Sequence, residues 1–141
     1  MQPDNIWQGI YTRLMGSTNN FKTAIGSELF FGENPRAPGD VVYPYCVAMF
    51  VGGELDRDSA NKYEKPVMRF VLYDNQAAHT RIMTTAEKLD DQLDDDEASI
   101  TMTGFSVLSV DRISPLGDVT KNEIDNWRLP VDYRFHLQRT T

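Results

Sequence analysis

One cysteine, Cys46, and two histidines, His79 and His136, are all that 141 residues offer of the side chains that most often bind transition metals or act as bases near neutral pH. A single cysteine cannot close an intramolecular disulfide, and no Cys-x-x-Cys or His/Cys cluster is available for zinc or an iron–sulfur centre. No uncharged apolar run approaches the roughly 18 to 20 residues that a membrane helix needs. The start, Met1-Gln2-Pro3-Asp4, lacks the basic and apolar regions of a signal peptide. The expectation is a soluble chain in a reducing compartment, not secreted by the usual route and not membrane-bound. Basic charge is also scarce: 14 Lys plus Arg against 21 Asp plus Glu leave a net charge of −7. That is the wrong sign for gripping phosphates over a broad face, and it disfavours sequence-specific DNA binding.

What is present is an ordinary globular balance, 40% hydrophobic, 11% aromatic and 25% charged, which excludes disorder as the main state. Surface scaling gives roughly 7,400 Å² exposed when folded against about 23,000 Å² unfolded, so about two-thirds of the surface can be buried. No repeat and no Pro/Ser- or Gly-rich linker divides the chain, and residues 1–141 are read as one domain.

Ile6, Ile10 and Leu14 recur at helical spacing between Asp4 and Met15, and Gly16 is placed to stop that helix. Phe21 and Ile25 suggest a second helical turn ending at Gly26, and Leu29-Phe30-Phe31 reads as a strand. Glu33 to Pro44, with Pro35, Pro38, Gly39 and Pro44, is an irregular arm. Tyr45 to Val51 and Val67 to Tyr73 read as strands joined across the charged stretch Glu54 to Lys65, which is expected to form the solvated tip of a long hairpin. Ala78, Ile82, Ala86, Leu89 and Leu93 share one helical stripe, with a helix expected over 75–93 and Asp74 or Asn75 as its cap. Ile100 to Val110 has strand composition, and Pro115-Leu116-Gly117-Asp118 marks a turn. Finally Trp127, Leu129, Val131, Tyr133, Phe135 and Leu137 alternate with polar residues, so one face of this last strand is buried and the other is wet or contacts a partner. Pro130 points to the start or an edge of that strand. The element order predicts an α+β fold: a mostly antiparallel sheet of about four to five strands with helices packed on one face.

Chemistry is hard to find. There is no Gly-x-Ser-x-Gly elbow, no P-loop and no Gly-x-Gly-x-x-Gly after a strand. Cys46 sits in the most apolar strand, where a small buried hydrophobe is the simpler reading than a nucleophile. No residue is assigned a catalytic, cofactor-binding or metal-ligating role, and no cofactor is expected. The acidic run Asp90, Asp91, Asp94, Asp95, Asp96 and Glu97 lacks calcium-loop spacing; it reads as a solvated turn or as a charged lumen or rim patch. The hairpin tip (Glu54, Asp56, Arg57, Asp58, Lys62) and the arm (Arg36, Asp40) could be idle surface or could meet a neighbour. Arg128, Arg134 and His136 on the polar face of the last strand are further candidates for subunit or partner contacts.

A short N-terminal helix, a Pro/Gly-rich arm ending in Tyr43-Pro44-Tyr45-Cys46-Val47, the strand Arg69-Phe70-Val71-Leu72-Tyr73-Asp74 before an amphipathic helix, and the closing strand with Val131-Asp132-Tyr133-Arg134-Phe135 follow one another in that order. This ordered set resembles the tail-terminator, or tail-completion, proteins of long-tailed bacteriophages over about residues 6–137. The motifs are loose, and their order carries the match. The resemblance implies a subunit of the virion neck, assembled in the host cytoplasm, that forms a homohexameric ring on the head-proximal end of the tail tube. Such a ring stops tube growth and docks the head connector or stopper protein. Its implied partners are itself, the tail-tube protein and the connector, with docking of a tail sheath left open. Genomic DNA passes through without specific binding, and no catalysis is implied. Six copies would carry −42, six times −7, which suits a channel that must not hold phosphates. Another head–tail joining protein of the neck fits the same residues. From other classes, a small cytoplasmic enzyme stays open if His79 meets Asp74 or His136 meets Asp132 in a pocket, as does a monomeric acidic binding module.

Overall fold

Ile6, Ile10 and Leu14 are fully buried along α1 (Pro3–Met15), as their spacing requires. The computed structural model describes residues 3–57, 62–94, 96–116, 119–121 and 126–140, with the backbone alone at 3, 54–57 and 62. A Cβ on Gly9 of α1 would come within 2.7 Å of the Thr101 carbonyl oxygen, so only glycine lets the helix approach that segment. α2 (Asn20–Ile25) is capped at both ends. Asn19 Oδ1 accepts the Lys22 N–H at 2.8 Å, and Gly26 closes the helix in the left-handed conformation at φ 57°. The three-residue β1 (Leu29–Phe31) leads into the arm, whose one regular feature is a 3-10 turn at Pro38–Asp40.

β2 (Tyr45–Arg57) and β3 (Lys62–Asp74) pair antiparallel from Tyr45↔Tyr73 to Arg57↔Lys62, so the ladder continues through the charged stretch that was expected to form the hairpin tip. Glu54 stands opposite Lys65 in that register. α3 spans Thr80–Leu93 and buries Ile82, Ala86, Leu89 and Leu93. β4 (Phe105–Arg112), the two-residue β5 (Thr120–Lys121) and β6 (Trp127–Arg139) complete the chain.

Among the described residues, six strands form one sheet in the order β1-β2-β3-β6-β4, with β5 also on β6. β1 runs parallel to β2 and every other pairing is antiparallel. Helical residues Ile6, Ile10, Phe21, Ile82 and Leu89 share one core with Met68, Phe70 and Leu72 of β3 and Leu129, Val131, Tyr133, Phe135 and Leu137 of β6. The fold is therefore α+β, a mostly antiparallel sheet with its helices on one face. Among the described residues, no helix is long and apolar enough to cross a membrane.

Three expectations need correction. α3 starts at Thr80 and not at 75, because Asp74 stays in the sheet opposite Trp127. Its carboxylate holds the Arg81 guanidinium and the Gln76 N–H, and the Trp127 indole N–H donates to the Gln76 carbonyl at 2.9 Å. The segment between is thus tied down as a turn, and neither Asp74 nor Asn75 caps the helix. β4 starts at Phe105 and not at 100. Gly104, at φ 83°, makes a tight turn after Met102, so Ile100 and Met102 reach the core from irregular backbone. Pro130 sits in a strand flanked on both sides, opposite Val71 of β3. Strand alternation aims its missing N–H the same way as that of Asp132, which donates to Ser114 Oγ across the gap between β5 and β4. The proline is tolerated because no ladder partner reaches it there.

Candidate functional site

The helix-free face of the sheet is where the polar alternates of β6 point, together with the odd-numbered residues of β3. Its rows follow from the register. Phe30, Val47, Val71 and Pro130 lie across the strands in one line, with Val47 and Val71 buried although they face away from the helices. To one side, Tyr45 and Tyr73 stack with ring centroids 4.9 Å apart, and Arg128 is next in register. Burial, with Tyr43 and Tyr73 adding unfavourable charge interactions, pushes the Tyr45 hydroxyl up to about 12. To the other side, Arg69 makes a two-pronged ion pair with Asp132, at 2.8 Å and 3.2 Å. Its hydrogen bonds to that carboxylate raise the arginine's pKa further.

Beyond this pair the face opens into a polar cleft of about 260 Å³ lined by Lys65, Ser109, Asp111, Arg134 and His136. Arg134 is exposed and stands opposite Asp111 on one side and Val67 on the other. His136 leans on the Tyr63 ring at 5.5 Å. Of the three partner candidates on β6, Arg134 and His136 thus share one cleft, while Arg128 lies at the far end of the same face. The strand's alternation identified these three. Lys65, Ser109 and Asp111 escaped it, since they come from neighbouring strands whose register no local pattern discloses.

The arm candidates lie elsewhere. Arg36 is held by Glu28 at 2.9 Å, and Asp40 is exposed in its 3-10 turn. Of the hairpin candidates, Asp58 and the side chains of Glu54, Asp56, Arg57 and Lys62 lie outside the described residues, as does Asp95 of the acidic run. Much of the remaining run has partners within the chain. Asp90 accepts the Tyr133 hydroxyl at 2.8 Å and Arg112 Nη1 at 2.9 Å. Asp94 accepts the Arg112 backbone N–H at 2.8 Å. Asp96 pairs with Arg13 and takes the Ser99 hydroxyl at 3.0 Å. Burial first, then the bond to Asp90, drives the Tyr133 hydroxyl far above its ordinary value. Asp91 is exposed and Glu97 half-buried.

Among the described residues, His79 is not bonded to Asp74, nor His136 to Asp132. Asp74 is taken by Arg81 and Asp132 by Arg69, whereas His79 sits edge-on to the Trp127 ring at 5.8 Å. Burial pushes the Cys46 thiol far up, so it is held as the neutral thiol. Among the described residues, no three His, Cys, Asp or Glu side chains converge to hold a metal ion. A second cleft, of about 360 Å³ between α2 and α3, is lined by Ala24, Thr84 and Lys88 among others, with no histidine, cysteine or carboxylate.

No protein-family model matches the sequence, and none of the curated proteins does. Solved structures do match in fold. A chain of the virion of the native gene transfer agent (GTA) particle superposes with a TM-score of 0.70 over 91% of this chain and 91% of its own, at 9% identity. A second solved chain superposes with a TM-score of 0.56 over 100% of this chain and 99% of its own, at 17% identity. The α+β fold of this protein is shared nearly end to end with a component of an assembled virion.

Proposed function

We propose that this chain is a structural protein of a virion, a tail terminator that closes into a ring on the head-proximal end of the tail tube. The ring stops tube polymerisation and presents a docking surface to the head connector. The observation that carries the reading is the fold likeness to the GTA virion component over 91% of both chains. The ordered motifs from the N-terminal helix to Tyr133-Arg134-Phe135 support the narrower assignment to the tube end. Its partners are further copies of itself, tail-tube subunits and the connector, and its place is the neck of the virion.

The role is assembly and not turnover. Both histidines lack a hydrogen-bonded carboxylate among the described residues, and the cleft beside Arg134 and His136 is a shallow mixed-charge surface. Arg128, Arg134 and His136 supply polar contacts to a neighbour or to the tube, and Asp91 and Glu97 supply a negative rim. The test is to add the purified chain to polymerising tail-tube subunits. The reading expects growth to stop and electron microscopy to place the chain at one end of each tube. Tubes of unchanged length with no bound chain would overturn it. Binding to the connector alone would assign the protein to another joint of the neck.

A further inference from the structure

Among the described residues, the large apolar side chains that remain well exposed, Val42 of the arm aside, gather at the two ends of the strand order. At the β1 end an aromatic ladder climbs from α1 to the sheet. Tyr11 packs on Trp7 with centroids 5.7 Å apart, Trp7 on Phe31 at 5.1 Å, and Phe31 on Phe50 at 5.8 Å. Trp7 and Tyr11 are four apart on α1, beside the buried stripe Ile6, Ile10 and Leu14, so the helix turns this second stripe outward over the sheet edge. Tyr11 is 39% exposed, Phe31 46% and the adjoining Val51 40%. Stacked aromatics left half in water are the composition of interface centres, where large rigid rings fill a partner's surface.

At the opposite end, β4 is bonded to β6 on one side only. Leu108, at the bulge between Val107 and Ser109, is 40% exposed and Ile113 is 42% exposed. From Thr103 to Ser109 this edge carries no charged residue, in a chain with 35 charged side chains of Lys, Arg, Asp and Glu, the sum of 14 and 21. Edge strands in soluble proteins are commonly guarded by charge. Here the bulge and the Asp94 cap on the Arg112 N–H discourage strand addition, yet the apolar side chains stay uncovered.

We propose that copies of this chain join edge to edge, the aromatic ladder at the β1 end of one copy seated on the uncharged β4 edge around Leu108 of the next. The inference rests on the ring reading and names the surfaces that close it. The occupant is a second copy because the two patches differ and lie at opposite ends of one sheet. One such contact leaves a free patch of each kind, so it repeats head to tail until the ring closes, the geometry that a heterologous interface requires. A ladder meeting a ladder would stop at a dimer and leave Leu108 and Ile113 bare.

The experiment uses Phe31→Ser and Leu108→Asp, each a change at a half-exposed side chain, with circular dichroism confirming the native fold. Tyr11→Ser and Ile113→Ser serve as second variants at each edge. Sedimentation is expected to show the native chain assembled and each single variant dissociated, with association at least about 30-fold weaker, as for loss of an interface anchor. Mixing the two folded variants is expected to restore pairs but no larger species, since each retains the patch that the other has lost. A native chain that stays monomeric, a folded variant that keeps the native mass, or a mixture that yields no pairs overturns the inference. Retention of the native mass by both variants does so while leaving tube capping untouched, whereas loss of capping by an intact ring counts against the functional reading alone.

Discussion

Along β6 the same strand serves two environments. Leu129, Val131, Tyr133, Phe135 and Leu137 are wholly buried against the helices, while Arg128, Asp132, Arg134 and His136 face a surface with no helix over it. On the inner face, burial of large side chains supplies the stability, and the polar groups that enter are answered: Asp74 by Arg81, the Tyr133 hydroxyl by Asp90. On the outer face the ion pair Arg69–Asp132 is half in water, where such pairs contribute little. The contrast predicts that the polar side chains of the outer face can be changed with small cost to folding, whereas Val47 and Val71, buried on that same face, cannot.

The largest effect expected from this contrast is for neighbouring residues on opposite faces. Phe135→Ala should lower the unfolding free energy by about 3–5 kcal/mol, and His136→Ala should stay within about 0.5 kcal/mol, both read by denaturant unfolding. Similar losses at the two positions would break the comparison. Next come the two acid–arginine pairs. Asp74→Asn removes the charge of a fully buried carboxylate facing Arg81 and should cost about 2–3 kcal/mol, against at most about 1 kcal/mol for Asp132→Asn.

Smaller again is the effect of alkaline pH. The folded-state pKa of Tyr45 lies near 12, above the unfolded value near 10, because burial favours the neutral phenol. Its contribution is therefore complete below pH 10 and is lost as pH rises through 12. Tyrosinate absorbance should show Tyr45 titrating late, and Tyr45→Phe should remove that late step; an ordinary midpoint near 10 would contradict the packing of Tyr45 against Tyr73. The smallest intervention is chemical. The Cys46 thiol, buried and kept protonated, should react with a thiol reagent only on unfolding, and rapid labelling of the folded chain would place β2 differently.

How much of this was legible beforehand depended on whether the signal was local. The two-residue alternation of β6 and the stripe of α1 survive into the structure because burial on one side imposes them residue by residue. The first turn of α3 was misplaced because Asp74 looks like a helix cap, and its role as a sheet residue bonded to Arg81 depends on pairing with Trp127, 53 positions away. Pro130 misled for the same reason, since the gap between β5 and β4 that accommodates it is made by the ends of two other strands. The cleft was half visible as a group of neighbours. Arg134 and His136 followed from alternation, whereas Lys65, Ser109 and Asp111 join them only through register. The aromatic ladder was invisible as a unit because Trp7, Phe31 and Phe50 belong to three elements, although Trp7 and Tyr11 already form a helical pair beside the core stripe.

The measurement that bears most directly on the account is the mass of the native chain over a wide concentration range, alone and with tail-tube subunits, with negative-stain images of the same samples. A ring-forming virion protein predicts a closed species near 97 kDa, six times the 16.1 kDa chain, visible as an annulus. A 16.1 kDa monomer at every concentration, unchanged by the tube subunits, would contradict it.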